Sequence, residues 1–418
     1  MLKKLVYFSL FFLFGANSTS INIQGLRIPI FMILLFIFVL GIVVKCLLDV
    51  KNKNWQNLKE NYVGKGNRYY ILVMGAWLAY AGISVLWQRD YGNWRVAMNY
   101  LIIGCFCAFV FPMFLRTTRD ILNAYRVMGL LLLIHNIIGW FEYVTRIYLF
   151  PSASDAAGWA GRPVSIFYNT NNFAVFLVFG IFILYVNYTD FEKKIAKRGC
   201  FLLALSSLCL ILLTRSRGAS LTLAFGIAIF VGVLYFGKIK EKVMPLLRQK
   251  RSRMVITIGM GVMLLLSSVV VHQMFFSGER AVSGLARMNL IRNGFMFLPI
   301  TFGFGVGAGN IEHWMDNYWG FRTYGMVNMH NWWMEILTAY GVLIFILYLI
   351  FYVKLGKSTV EKYVKIKIVN IRAIHLANLC ILGGFVIAST IPSSMMPAIW
   401  FWALMGILIA TQRKDIYE

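Results

Sequence analysis

The sequence predicts an all-α polytopic membrane protein with about twelve transmembrane helices, and composition and pattern both support this. Of 418 residues, 60% are hydrophobic and 14% are charged, and the mean hydropathy is +0.70. Such values are typical of membrane proteins. The apolar runs are continuous and of spanning length, whereas outer-membrane barrels use short alternating segments. We therefore expect one helical transmembrane domain over residues 1–418.

The apolar runs give the expected order of the helices. They lie near residues 5–22, 28–48, 70–87, 96–115, 121–143, 169–188, 200–214, 218–236, 254–276, 331–353, 373–391 and 395–412. The first run follows Lys3 and Lys4, a pattern that a signal peptide also shows. Both interpretations place the remaining spans in the same orientation.

The main outer loop, residues 277–330, lies between the ninth and tenth spans and is too short for a separate domain. Apolar residues near helical spacing predict an amphipathic helix over 283–297 that lies in the membrane interface. These residues are Leu285, Met288, Ile291 and Phe295. We expect this outer-face loop to form part of the active site.

The basic loops set the orientation. With both termini in the cytoplasm, every lysine-rich loop faces inward, as the positive-inside rule requires. The outer face then carries eleven arginines and no lysine, although the whole chain has 20 lysines and 21 arginines. Guanidinium forks bind phosphate or carboxylate in bidentate geometry. Membrane orientation explains the net charge of +25, and we expect an anionic ligand outside the membrane and no binding of nucleic acid.

Three polar motifs lie where spans begin at the outer face. They are Asn169–Asn172, Thr214–Gly218 and Asn328–Asn331. Free backbone N–H groups and the positive end of the helix dipole make each start a potential anion site. If these spans are neighbours, the three starts converge on one ligand.

Other motifs carry little chemistry. Gly303-x-Gly305-x-x-Ala308 matches a relaxed dinucleotide fingerprint, but no βαβ unit surrounds it. A tight turn beside a ligand or lipid headgroup, or simple packing, accounts for the glycines. The cysteines lie in or next to spans as apolar fillers. The outer histidines, His313 and His330, have no metal-ligand spacing, so we expect neither a metal nor a cofactor.

His330 and Glu335 have different expected roles. At a helix start the neutral form of His330 is favoured, and this form accepts a proton. Glu335 lies roughly 140° around the helix from His330. It is better placed to contact Asn331, and a structural role within the bundle is the alternative.

Four motifs in this order resemble the O-antigen ligase and polysaccharide polymerase family of bacterial envelopes. They are Phe167–Ala174, Thr214–Ala219, Arg287–Ile291 with the glycine turn that follows, and His330–Gly341. The family often has tryptophan at the position of Ile291, which leaves Arg280 and Arg292 open as alternatives to Arg287. The resemblance implies glycosyl transfer at the outer face of the bacterial plasma membrane, from a saccharide carried on undecaprenyl pyrophosphate.

The resemblance also implies roles for residues. Arg217 and Arg287, with Arg215 beside them, hold the pyrophosphate, and His330 acts as the catalytic residue. Four asparagines and one glutamate support the site: Asn169, Asn171, Asn172, Asn331 and Glu335. The reaction is expected to be metal-independent and to invert the anomeric centre.

The two glycosyl-transfer hypotheses differ in the acceptor. We favour a polymerase that joins lipid-linked repeat units into a surface polysaccharide. The alternative is a ligase that transfers the chain to lipid A core or a wall acceptor. A lipid or saccharide transporter is a second alternative, which the scarcity of acidic residues within the spans disfavours.

Overall fold

The computed structural model describes residues 2–14, 20–23, 26–52, 66–150, 161–167, 169–248 and 281–413. These residues form thirteen α-helices and one short hairpin. The first helices are α1 Leu2–Phe14, α2 Ile30–Lys51, α3 Arg68–Ile83, α4 Tyr91–Phe114, α5 Thr118–Thr145, α6 Thr170–Asp190 and α7 Lys194–Thr214. The others are α8 Arg217–Arg248, α9 Ala281–Ile300, α10 Ile311–Asn317, α11 Trp332–Lys365, α12 Val369–Ala388 and α13 Ile399–Ala410.

The fold class expected from the sequence is confirmed. Within the described ranges, nine helices are long and apolar enough to cross a membrane. Helices α1 and α13 occupy the first and twelfth predicted spans with 13 and 12 residues, fewer than the roughly 20 that a spanning helix needs. The ninth predicted span, 254–276, lies outside the described residues.

The end of the first predicted span, 5–22, is not helical. Helix α1 is described to Phe14, residues 15–19 lie outside the described ranges, and strand β1 (Ser20–Ile23) pairs antiparallel with β2 (Leu26–Pro29) in the register Ser20 to Pro29. Polar residues from Asn17 to Ser20 interrupt the apolar run in the sequence. Helix α1 packs against α5, where the Tyr7 hydroxyl donates to the Asp120 carboxylate at 3.3 Å.

Helix α13 packs tightly against α4 because glycines allow the backbones to approach. A Cβ placed on Gly406 would lie 2.5 Å from the Cys107 carbonyl oxygen, and one on Gly104 would lie 2.6 Å from the Trp402 ring. Small residues serve the same purpose in many membrane helix pairs. The α12–α13 connection, which borders the site described below, is therefore attached to a well-packed pair of helices.

An aromatic cluster supports the start of α11. The buried ring of Trp332, the first residue of this helix, lies 5.9 Å from that of Trp77 and 5.7 Å from that of Trp402. Its indole N–H donates to the Tyr348 hydroxyl at 3.0 Å. This buried contact network fixes where α11 begins, and hence where the preceding residue pair, His330 and Asn331, is placed.

Helix α11 is broken at Gly341, and the glycine run packs into the break. Gly341 has a φ of 76° and a ψ of −178°. The amides of Val306 and Gly307 donate to the carbonyls of Thr338 and Ala339, and Val342 N–H donates to the Gly303 carbonyl, all within 2.9 Å. The positive φ angles of the glycines in the run, 70–99°, therefore serve backbone packing, one of the two explanations that the sequence left open.

Candidate active site

A cavity of about 560 Å³ lies where the N-termini of α6, α8 and α11 meet. All three polar helix starts of the sequence analysis contribute to it. Its lining residues are Arg162, Thr170, Asn171, Arg215, Ser216, Arg217, Gly218, Leu221, Ser283, Gly284, Arg287, Ile291, Met329, His330, Asn331, Ile387, Thr390 and Ile391. Four of these described lining residues are arginines and none of them is acidic, so the cavity is suited to an anion.

The three predicted asparagines at the start of α6 make different contacts. Asn169 caps the helix, its side chain accepting from Asn172 N–H at 2.9 Å. Asn171 lines the cavity and accepts a hydrogen bond from the Ser216 hydroxyl at 2.7 Å. The side-chain oxygen of Asn172 is buried and has no hydrogen-bond partner among the described residues. Asn169 and Asn172 do not line the cavity.

The turn between α7 and α8 presents two arginines. Helix α7 ends at Thr214, Arg215 adopts a left-handed conformation with a φ of 56°, and α8 begins at Arg217. The chain thus reverses between two membrane helices within two residues. Both arginines line the cavity as a result.

Helix α9 in the outer loop supplies the third predicted arginine. Arg287 lines the cavity, and its Nε is buried with no hydrogen-bond partner in the described part of the chain. Burial lowers the pKa of its guanidinium. Arg292 is exposed, stacks over the Phe321 ring at 5.5 Å and does not line the cavity, and Arg280 lies outside the described residues.

Two asparagines on α9 hold the loop that follows. Asn293 Oδ1 accepts from the amides of Gly320 and Phe321 at 3.1 and 2.8 Å, and Asn289 Nδ2 donates to the Arg322 carbonyl at 2.8 Å. Sequence reasoning missed this role. The spacing of four residues, which places both asparagines on one helix face, was the available signal.

The His330 segment is attached to the α12–α13 connection. His330 N–H donates to the Ser393 carbonyl and Trp332 N–H to the Ser389 carbonyl, each at 3.0 Å. Asn331 caps α11, its side chain accepting from the amides of Trp333 and Met334. His330 itself is left-handed, with a φ of 49°, and both His330 and Asn331 line the cavity.

The imidazole of His330 is held in its neutral form. Its pKa is lowered from 6.5 to about 4, chiefly by burial and then by the positive charge of Arg287, while the Ile391 backbone acts in the opposite direction. Its Nδ1 is buried and has no hydrogen-bond partner within the described ranges. A neutral imidazole with an unpartnered nitrogen can accept a proton.

The structure corrects the expected contact of Glu335. Its side chain accepts a hydrogen bond from the Ser394 hydroxyl at 2.6 Å, and only its backbone N–H bonds to Asn331. Glu335 also lies outside the arginine-lined cavity and lines a neighbouring one. Its partner Ser394 belongs to the α12–α13 connection, which the sequence analysis did not link with this residue.

Several cavity residues were missed by sequence reasoning. Arg162 is one of the eleven predicted outer arginines and had no assigned role, and Thr390 and Ile391 fell at the end of the predicted span 373–391. The polar run Ser389–Ser394 between two spans was the available signal, because a short polar connection at the predicted outer face lies at the level of the helix starts.

The fold and the cavity define a multi-pass membrane protein with an arginine-lined site where three helix starts meet. Residues 201–349 match the model of the family described as O-antigen ligase, a segment that contains Arg215, Arg217, Arg287 and His330. The resemblance noted in the sequence is confirmed. The chain is also 25% identical over 365 residues to the teichuronic acid biosynthesis protein TuaE of Bacillus subtilis (strain 168), covering 84% of this chain and 73% of that protein.

Proposed function

We propose that this protein is a metal-independent, inverting glycosyltransferase of the bacterial plasma membrane that polymerises lipid-linked saccharide units at the outer face. The donor is a saccharide on undecaprenyl pyrophosphate, and the acceptor is the terminal sugar of a second lipid-linked unit. The observation that carries the proposal is the single cavity shared by Arg215, Arg217, Arg287 and the neutral His330.

The arginines and helix starts supply binding for the pyrophosphate. Guanidinium forks and free N–H groups at helix N-termini both bind phosphate oxygens. Because they are fixed before the reaction, they also stabilise the negative charge that develops on the leaving group. The buried Nε of Arg287, which has no hydrogen-bond partner among the described residues, supports this role, since a buried donor without a partner is costly unless a ligand satisfies it.

His330 serves as the general base in this proposal. The acceptor hydroxyl oxygen attacks the anomeric carbon from the face opposite the pyrophosphate, and a new C–O bond forms. The bond between the anomeric carbon and the pyrophosphate oxygen breaks, and its electron pair stays on that oxygen. The neutral imidazole takes the hydroxyl proton, and the anomeric configuration is inverted.

The sidedness of the site follows from charge. The cavity lies at the end of the bundle where the positive-inside rule places the arginine-rich, lysine-free face. Both termini are then cytoplasmic, and the membrane lipids surround the bundle. A lipid-linked donor reaches the cavity from the outer leaflet.

A ligase is the second candidate, because the matching family model is described as O-antigen ligase. It would use the same donor and transfer the chain to lipid A core or a wall acceptor. The donor cavity alone does not distinguish the two, since both reactions release the same lipid pyrophosphate.

Purified full-length protein in lipid nanodiscs tests the proposal with radiolabelled undecaprenyl-pyrophosphate-linked repeat units. A ladder of product lengths, absent with His330→Ala, supports the polymerase. Transfer only after an acceptor such as lipid A core is added identifies a ligase. Movement of the lipid-linked substrate across the bilayer without any glycosyl transfer would overturn both assignments in favour of a transporter.

A further inference from the structure

A second, smaller cavity lies beside the arginine-lined one. Its volume is about 140 Å³, and its lining includes Tyr100, Glu312, Met329, Glu335, Tyr340 and Ser394. Met329 lines both cavities, its neighbour Asn328 lines only the smaller and His330 only the larger. The segment from Asn328 to His330 is therefore the wall between the two cavities.

The two cavities have opposite charge character. Among the residues that the structure describes, the larger is lined by four arginines and no acidic residue, whereas the smaller is lined by Glu312 and Glu335 and by no lysine or arginine. A pyrophosphate that binds the first would be repelled by the second. Of the parts of a lipid-linked saccharide, one without negative charge suits the smaller cavity.

The carboxylates offer unused hydrogen-bond acceptors. Glu335 uses Oε1 to accept from Ser394 at 2.6 Å, and its Oε2 is buried with no hydrogen-bond partner among the residues that the structure describes. Glu312 lies partly buried in the first turn of α10. A carboxyl oxygen that carries no proton accepts hydrogen bonds, so its partner in a ligand is a hydroxyl or an N–H group.

The size of the cavity restricts the ligand. An engineered protein cavity of about 150 Å³ holds one benzene molecule, so the volume here matches a single six-membered ring. The rings of Tyr100 and Tyr340 in the lining provide apolar surface beside the carboxylates. A sugar ring has both features, with apolar C–H faces and hydroxyl groups around its edge.

We propose that this smaller cavity binds one uncharged sugar ring of the acceptor, with Glu312 and Glu335 accepting hydrogen bonds from its hydroxyl groups. The inference rests on the proposed function. The donor pyrophosphate occupies the arginine side of the Asn328–His330 wall, and the acceptor approaches from the other side. His330, at the wall, is then adjacent to the hydroxyl that it deprotonates.

Binding is tested without turnover. Full-length protein in nanodiscs is examined by ligand-observed saturation-transfer NMR with methyl glycosides of glucose, galactose and their N-acetylamino forms, and with methyl glucuronide. At least one uncharged glycoside is expected to bind more tightly than the glucuronide. Glu312→Gln and Glu335→Gln are each expected to weaken that binding about tenfold, as for loss of a charged hydrogen bond.

Two further variants keep the test decisive. Asp316→Asn removes the same charge from the same short helix at an exposed position that does not line the cavity, and it should bind like wild type. Ala97→Leu fills the cavity from α4 without removing a carboxylate and should abolish binding. If a Glu→Gln variant fails to fold by size-exclusion chromatography, Ala97→Leu and the other Gln variant decide the result.

Turnover distinguishes failure of this inference from failure of the proposed function. In an active enzyme, both Gln variants should raise the acceptor KM about tenfold and leave the donor KM unchanged. Preferred binding of the glucuronide, or glycoside binding that neither the Gln variants nor Ala97→Leu alters, overturns the inference. Wild-type protein that binds the glycoside but transfers no sugar contradicts the proposed function instead.

Discussion

The hydroxyl of Ser216 donates a 2.7 Å hydrogen bond to Oδ1 of Asn171, which joins the α7–α8 turn to the first turn of α6. Both residues line the arginine-lined cavity. The bond fixes the turn that carries Arg215 and Arg217 relative to an adjacent helix start. It therefore bears on donor binding even though neither residue needs to touch the reacting atoms.

Ser216→Ala tests this positioning role. Loss of the bond should cost about 1 kcal/mol of stability, and misplaced arginines should raise the donor KM about tenfold with a smaller change in kcat. Ser206→Ala is the control, because Ser206 also donates to an asparagine, Asn136, at 2.8 Å, away from the cavity. An equal rise of the donor KM in both variants would show that the effect is general loosening of the bundle.

Arg287 and Arg292 make a matched pair on one helix. Arg287 lines the cavity, and its buried Nε has no hydrogen-bond partner in the part of the chain that the structure describes. Arg292 is exposed and stacks on Phe321. Arg287→Lys keeps the charge but loses the fork, so we expect kcat/KM for the lipid-linked donor to fall about 100-fold. Arg292→Lys should stay near wild type, and similar losses in both would remove Arg287 from the proposed pyrophosphate site.

In the proposed mechanism, the pH dependence of transfer reports on His330. Because its pKa is lowered to about 4 in the free protein, the neutral base persists on going from pH 8 to pH 5. We expect kcat/KM to remain level over that range and to fall only as the pH approaches 4, whereas an unperturbed histidine would lose activity near 6.5. His330→Gln should remove the acid limb together with most of the activity.

The fall of kcat on acidification should occur at a higher pH than the fall of kcat/KM. A bound pyrophosphate adds negative charge beside Arg287 and so offsets the charge that lowers the His330 pKa. The profile of kcat reports the complex, and that of kcat/KM the free enzyme. Coincident limbs near 6.5 would contradict the placement of His330 in a buried, cationic site.

Hydrophobic periodicity and helix caps predicted much of this molecule. Continuous apolar runs placed the helices, and Asn169 and Asn331 marked two helix starts that the structure caps with those side chains. The sequence could predict that the three helix starts converge only if their spans are neighbours, because packing between distant segments sets which helices of a bundle are adjacent. The orientation of α9 decides that Arg287 rather than Arg292 lines the cavity, and the sequence alone does not give this orientation.

Contacts between distant segments of the chain left no sequence signal. The partner of Glu335, Ser394, lies 59 residues away. The bonds between the glycine run and the break in α11 join amides to carbonyls, which every residue type provides. The short α13 was also unexpected, because the apolar run begins before it, at 395. Pro397 explains the later start, since proline disfavours a helix through that position.

Gly341 offers the sharpest test of how the outer loop is attached. Its φ of 76° and ψ of −178° lie in a region that only glycine populates readily, and an added Cβ would lie 2.2 Å from the Gly303 carbonyl oxygen. Gly341→Ala should therefore lower stability by about 3 kcal/mol or more and release the 303–309 turn. Gly356→Ala on the same helix meets no atom within 4 Å and should stabilise by about 0.5–1 kcal/mol. Thermal unfolding followed by tryptophan fluorescence measures both, and an unchanged midpoint for Gly341→Ala would show that the glycine turn does not depend on the break in α11.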